Sequence, residues 1–286
     1  MLMQNFRTNK DCKSKGNHRG YTNPLLIINA DDFGKDSSIN KAIVRAFQEN
    51  LVSSTTLLTN MPGFIEACSL ARKFRLKGCV GVHLNLIEGS PVTEPIKKCE
   101  RLCDISGSFS GALRNKIFML SRAEFNAIRE ELNAQISVCV SAGIIPTHID
   151  SHLNFHISPS LLPLLPIIVR LAHKWRIQAI RLNMNCCGQI GFYKKLYKLF
   201  YNFLLILTGL ARSDYYGEAK DIINAIGFIK GIAEIGVHPS FSNNGDLIDA
   251  EDGRTLKEIL LPVFEYDMIS YASAKKVIKP KLLILS

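Results

Sequence analysis

The chain has 286 residues, 47% hydrophobic and 21% charged, which is enough for a sizeable core and excludes a disordered protein. Lys and Arg total 35 against 25 Asp and Glu, a formal charge of +10, but the excess is local. Arg7, Lys10, Lys13, Lys15 and Arg19 face only Asp11 in the first twenty residues, and 151–213 holds no acid at all beside Arg170, Lys174, Arg176, Arg181, Lys194, Lys195, Lys198 and Arg212.

The remainder is slightly acidic, and no helix-turn-helix, zinc-finger or RNP-type pattern appears, so no nucleic acid partner is expected. The 8 cysteines lack paired CxxC spacing and predict reduced, mostly buried thiols in a cytoplasmic protein. The start MLMQNFRTNK is too polar for a signal peptide. The uncharged run Leu199–Ala211 is shorter than the roughly 18–20 residues that a spanning helix needs.

Residues 1–22 read as a basic, flexible tail, and 23–286 as one domain. Leu25–Ala30 is predicted as a buried strand between Pro24 and the pair Asp31-Asp32. Ser37 or Ser38 then caps a helix with Ile39, Ile43, Ala46 and Phe47 on one face. Thr55–Leu58 reads as a strand, Pro62-Gly63 as a turn and Ile65–Phe74 as a helix. Cys79–Leu86 is a third strand, followed by a turn-rich stretch to Gly111. The capping box Ser121-x-x-Glu124 opens a long helix that Gly143 closes. Thr147–Asp150 is a short strand, and a helix from about Ser158 is bent or broken by Pro163 and Pro166. Ala179–Leu182 and Glu234–Val237 are later strands, with a helix around Glu218–Ile229 between them. This βαβα rhythm predicts an α/β fold, and the length favours a distorted (β/α) TIM-like barrel over an open doubly wound sheet. No dinucleotide or P-loop glycine pattern is present.

Four polar clusters fall where strands are predicted to end: 29–34 (NADDFG), His83 with Asn85, 148–156 (HIDSHLNFH) and 238–240 (HPS). In a parallel barrel all strand C-termini share one rim, so these clusters can meet. Five of the 7 histidines lie in them, which points to a metal site built from imidazole and carboxylate. Two histidines and one carboxylate would leave open positions for water and substrate, a second carboxylate could take the water's proton, and a further histidine could protonate a leaving amine. Asp31, Asp32, His83, His152 and His238 supply those parts of a metal-assisted amide hydrolase.

The segments NADDFG (29–34), SSTTLLTN (53–60), GVHLNLIEGSP (81–91), PTHIDSH (146–152), YYGE (215–218) and EIGVHPS (234–240) resemble the YdjC-like carbohydrate deacetylases, the family of chitooligosaccharide deacetylase. The resemblance runs from about Leu25 to at least Asn244. It implies a distorted (β/α) barrel that removes the acetyl group from an N-acetylated sugar with a divalent ion, Mg²⁺ or Zn²⁺. By motif position it implies His83, His152 and Asp32 as metal ligands, Asp31 as general base and His238 as acid. Asn85, Asp150, Asn154, His156 and Arg181 would bind substrate or support the ligands, a surface salt bridge being the other reading of Arg181.

One departure stands out: Asn154 replaces the middle histidine of the family's DSHxHxH pattern, and its amide cannot carry a proton as imidazole does. It motivates an alternative, a non-catalytic or altered-specificity carbohydrate-binding barrel. The aromatic, basic segment 192–212 either packs on the barrel or at a homodimer contact, or lies on a membrane surface as a peripheral helix, with a lipid-linked or anionic glycan as the related substrate.

Overall fold

Alternate residues of the first strand change character along its length, and the barrel is built on that change. In β1 (Leu25–Phe33) the side chains of Leu26, Ile28 and Ala30 join an outer apolar layer. Leu25 and Ile27 belong to a separate small cluster inside the sheet's curve, and the same strand face continues as Asn29 and Asp31. The inner face therefore runs from apolar to polar towards the strand's C-terminal end. The computed structural model describes residues 23–115, 119–188 and 190–277, and the tail predicted for 1–22 lies outside them.

The chain continues through α1 (Ser37–Gln48), β2 (Ser54–Leu57), α2 (Phe64–Lys73), β3 (Val80–Leu84), the one-turn helices α3 (Glu94–Lys97) and α4 (Ala112–Asn115), and α5 (Arg122–Ser141). After β4 (His148–Ser151) come two 3₁₀ turns, α6 (Leu165–Lys174), β5 (Ala179–Ile180), α7 (Phe192–Leu207), β6 (Tyr215–Glu218), α8 (Ala219–Ala225) and β7 (Ile232–Val237). A hairpin of β8 (Pro239–Phe241) and β9 (Leu247–Asp249), then α9 (Leu256–Leu260) and α10 (Tyr271–Val277), complete the fold.

The seven strands β1–β7 pair in parallel in the order β5-β4-β3-β2-β1-β7-β6. The two edges meet at one narrow seam, where Ala211, just ahead of β6, bridges Ala179 of β5. There the Ile180 amide donates to the Ala211 carbonyl at 2.9 Å and the Ala211 amide donates to the Gln178 carbonyl at 2.8 Å. The result is a single-domain, distorted (β/α) barrel whose strand C-termini share one rim.

The capping box at Ser121 forms in both directions, with the Glu124 amide donating to Ser121 Oγ at 3.2 Å and the Ser121 amide to Glu124 Oε2 at 2.7 Å. Elsewhere the structure differs from expectation. Asp36, not Ser37 or Ser38, caps α1: its Oδ1 accepts from the Ile39 amide at 2.9 Å, while Ser37 Oγ turns to Glu66. The predicted helix around Glu218–Ile229 is shorter, because Tyr215–Glu218 pairs with β7 as a strand, and a 3₁₀ turn follows Ala225. Pro163 falls in a 3₁₀ turn and Pro166 in the first turn of α6, where a missing N–H costs nothing.

The end of the barrel opposite the rim is plugged. Tyr271 of α10 stacks on His148 with ring centroids 3.8 Å apart, and its hydroxyl donates to Glu234 Oε2. Leu25, Ile27, Ala179, Ile232 and Ala274 pack around it. Burial pushes the His148 imidazole down to about 3. Between that value and the ordinary value near 6.5 the unfolded chain binds a proton that the native one refuses, so His148 favours the native state above pH 6.5 and that contribution falls as the pH drops towards 3. In His148→Phe, which removes the titrating group and leaves Thr147 Oγ1 its bond to the Val80 carbonyl, the loss of urea stability between pH 6.5 and 4.5 should be shallower than in the parent. An unchanged slope contradicts this assignment.

Candidate active site

Arg181 follows β5 and turns its side chain into the barrel, where none of it is exposed. Its Nη1 and Nη2 each donate to one oxygen of Asp31 at 2.7 Å, and Nε donates to Glu234 Oε1 at 2.7 Å. Asp150 Oδ2 also lies 2.7 Å from Nη1. One guanidinium thus gathers carboxylates from β1, β4 and β7, which corrects the surface salt-bridge reading of this residue. The Tyr216 ring covers its face, with the guanidinium carbon 4.9 Å from the ring centroid. Burial alone would raise the Asp31 carboxyl, but the bidentate guanidinium outweighs it and holds Asp31 below the usual carboxylate range.

Two consecutive acids reach the site because β1 is irregular at its end. The β1–β2 register shifts between Ala30 and Phe33, and Asp32 adopts φ 70, a left-handed conformation that Asp tolerates better than most residues. Gly34 follows at φ 93, and a Cβ there would stand 2.6 Å from the Leu58 carbonyl oxygen, so the NADDFG turn requires glycine.

His83 lies on the inner face of β3, opposite to Val82 and Leu84, which enter the outer core. Its Nδ1 is 2.7 Å from Asp150 Oδ1, which leaves Nε2 to face Asp32 Oδ1 at 3.4 Å. Thr56 Oγ1, 3.1 Å from the same Nδ1, donates to Asp150 Oδ2 at 3.0 Å and so fixes that carboxylate from β2. Burial disfavours a charged imidazole here, but Asp150 and Asp32 outweigh it and lift His83 to about 10. His152, just past β4, places Nδ1 2.8 Å from Asp32 Oδ1 and Nε2 3.1 Å from Glu88 Oε1. Burial opposes ionisation of Asp32 too, yet the two imidazoles hold its carboxyl far below its ordinary value.

Asp32, His83 and His152 can each present one ligand atom within 4.8 Å of the others. Asp31, His83 and Asp150 meet the same limit. In that second trio, however, Arg181 already engages both carboxylates and Asp150 occupies His83 Nδ1, so the first trio is the better cation site. Two imidazole nitrogens, which a divalent ion binds in exchange for any proton they carry, together with one carboxylate fit such an ion.

The other residues singled out in the sequence take different places. His238 is 29% exposed on the far side of Asp31, its Nε2 3.9 Å from Asp31 Oδ2, and its backbone amide donates to Asp249 Oδ2 at 2.7 Å. Asn85 builds the turn after β3: its Oδ1 accepts from the Ile87 and Glu88 amides and its Nδ2 donates to the Glu88 carbonyl. Asn154 sits at φ 52 with its Oδ1 3.5 Å from the Tyr216 hydroxyl, a backbone setting that asparagine readily accepts. His156 is fully buried against Ser151 Oγ at 2.6 Å, and burial pushes it down to about 4, so it braces the 152–157 turn away from the ligand trio.

Sequence reasoning missed Glu88, Lys35, Glu234, Tyr216 and Asp249. Glu88 Oε1 lies 2.9 Å from Lys35 Nζ and closes the rim above His152. Glu234 carried a usable signal, since an acid inside an apolar strand requires a buried partner.

Fold and site define a (β/α)-barrel protein with imidazole and carboxylate donors at its C-terminal rim, compatible with a divalent cation. Among known proteins the chain belongs to the YdjC-like family, whose profile matches residues 25–274. It is 41% identical over 152 residues to a carbohydrate deacetylase of Brevibacillus brevis, a match covering 53% of this chain and 57% of that protein. It is 31% identical over 236 residues to a chitooligosaccharide deacetylase of Proteus mirabilis, covering 77% and 83% of the two chains. The chain therefore spans a little over half the length of the Brevibacillus relative. A crystal structure from Enterococcus faecalis V583, of a protein described as a candidate for cellobiose-phosphate cleavage, shares the fold with a TM-score of 0.66 at 24% identity, over 88% of this chain and 99% of that one.

Arg181→Met would leave three buried carboxylates facing one another without their counter-charge. It is expected to cost about 3–5 kcal/mol in urea unfolding. Parent-like stability would show that the guanidinium does not hold the barrel interior together.

Proposed function

We propose that the protein is a metal-dependent hydrolase that removes the acetyl group from an N-acetylated amino sugar of an oligosaccharide or glycan. The observation that carries this reading is the adjacency of two differently held carboxylates: Asp32 with His83 and His152, and Asp31 bound to Arg181 and 3.9 Å from His238. Relatives named carbohydrate deacetylase and chitooligosaccharide deacetylase support the same class.

Asp32, His83 and His152 would hold the ion, Zn²⁺ or Mg²⁺, with the nitrogen donors favouring Zn²⁺. Once bound, it would polarise the acetyl carbonyl and ease deprotonation of water. Asp150 accepts from His83 Nδ1–H and so fixes the tautomer that presents Nε2. Asp31, kept ionised by Arg181, takes the proton of the attacking water. His238 approaches from the open side and delivers a proton to the departing amine, its backbone anchored by Asp249. Lys35 and Glu88 shape the rim, and the half-buried Asn154 would meet the sugar beside Tyr216.

Incubating metal-replete protein with N-acetylglucosamine oligomers should release acetate, and His83→Ala or His152→Ala should reduce release to background. Asp31→Asn should retain metal and lose roughly 10²–10⁴-fold in kcat. Asp150→Asn should weaken metal affinity by roughly 10–100-fold by freeing the His83 ring. Saturable oligosaccharide binding without acetate from any oligomer would replace this reading with the carbohydrate-binding alternative.

A further inference from the structure

The two imidazoles of the candidate cation site face Asp32 through different nitrogens. In His83, Nε2 faces Asp32 Oδ1 and Asp150 holds Nδ1. In His152 it is Nδ1 that lies 2.8 Å from Asp32 Oδ1, so Nε2 points away from the trio, towards Glu88. From Asp32 Oδ1 the separations are 2.8 Å to His152 Nδ1 and 3.4 Å to His83 Nε2. A tetrahedron with bonds of about 2.0 Å has an edge of roughly 3.3 Å, so these three atoms are spaced as donors to one ion. Among the described residues Glu88 belongs to neither group whose ligand atoms all come within 4.8 Å of one another. It meets the His152 ring from behind.

Glu88 is built into that place. Its amide donates to Asn85 Oδ1 at 3.2 Å, and its carbonyl accepts from Asn85 Nδ2 at 2.9 Å and from Asn60 Nδ2 at 3.1 Å. The side chain is 38% exposed, yet Oε1 is buried, 2.9 Å from Lys35 Nζ and 3.1 Å from His152 Nε2, with no donor aligned on it as a hydrogen bond. A buried carboxylate oxygen left in that state is costly, and His152 Nε2–H is the ring donor within reach.

We propose that Glu88 is the positioning residue of His152. It accepts from Nε2–H and holds the tautomer whose bare Nδ1 takes a divalent cation, as Asp150 does for His83 with the two nitrogens exchanged. Lys35, 3.5 Å from Asp32 Oδ2, ties the Glu88 carboxylate to the same cluster. This inference rests on the metal-dependent reading of the site and adds the group that orients its second imidazole. A plain salt bridge between Glu88 and Lys35 would leave the His152 ring unaffected.

The test is long-range proton–nitrogen-15 correlation of the histidine rings in the full chain loaded with Zn²⁺, beside zinc affinity measured by competition with a chromophoric chelator. In the parent, His152 should carry its proton on Nε2 and show zinc on Nδ1, and His83 should show the reverse. That measurement needs no variant and so does not depend on how a substituted chain folds. Glu88→Ala should weaken zinc affinity by roughly 10–100-fold and expose the His152 Nε2 proton to fast exchange with water, with the His83 signals unchanged. Zinc on His152 Nε2 overturns the proposal and leaves the cation site standing. So does a Glu88→Ala protein with parental zinc affinity and an unchanged Nε2 proton signal. Zinc on neither imidazole overturns the proposal together with the metal-dependent reading.

Discussion

A guanidinium buried in a barrel is costly unless carboxylates meet its charge and donors, and the organisation of this protein follows from how three of them gather on Arg181. Its partners come from strands on both sides of β1: Asp31 on β1 itself, Asp150 on β4 and Glu234 on β7. Glu234 is shared with Tyr271, so the plug at one end of the barrel and the polar rim at the other are joined through one cation. Asp150 is shared with His83, so the same cation also fixes the orientation of an imidazole. The charged interior and the candidate site are one network.

The network divides two neighbouring aspartates by environment. Asp31 faces a permanent positive charge that cannot leave, and Asp32 faces two imidazole nitrogens that a metal ion could engage in its place. The irregular end of β1 makes the division possible, because a regular strand would send the two side chains to opposite faces of the sheet. The turn at Asp32 and the glycine at position 34 are therefore as much a part of the site as the ligands.

Much of this was legible in the residues. NADDFG after an apolar strand, His83 between Val82 and Leu84, and the acids and imidazoles of 148–152 placed the chemistry at strand ends, and a parallel fold brings strand ends together. What stayed hidden was which groups touch. Three of the histidines in these clusters have quite different surroundings: His148 is stacked under the barrel floor, His156 is buried behind Ser151, and His152 faces Asp32. Spacing of four residues could not separate them, since consecutive left-handed residues at Leu153 and Asn154 break any helical register. The strand Tyr215–Glu218 was missed because its glycine and flanking charge resemble a helix start, and only pairing with β7 defines it. The depth of Arg181 was equally hidden, because an arginine after a short strand usually reaches solvent. The basic excess of 151–213, by contrast, was plain from composition, and the structure adds that its helix points apolar side chains outward.

The central claim is that Arg181 withdraws Asp31 and Asp150 from cation binding and so leaves Asp32, His83 and His152 to form the site. A crystal structure of the protein soaked with Zn²⁺, with anomalous scattering recorded at the zinc edge, tests it most directly. The account predicts one strong peak in contact with Asp32, His83 and His152, with Asp31 still bidentate on Arg181. A peak ligated by Asp31 and Asp150, or none within the barrel rim, would contradict it.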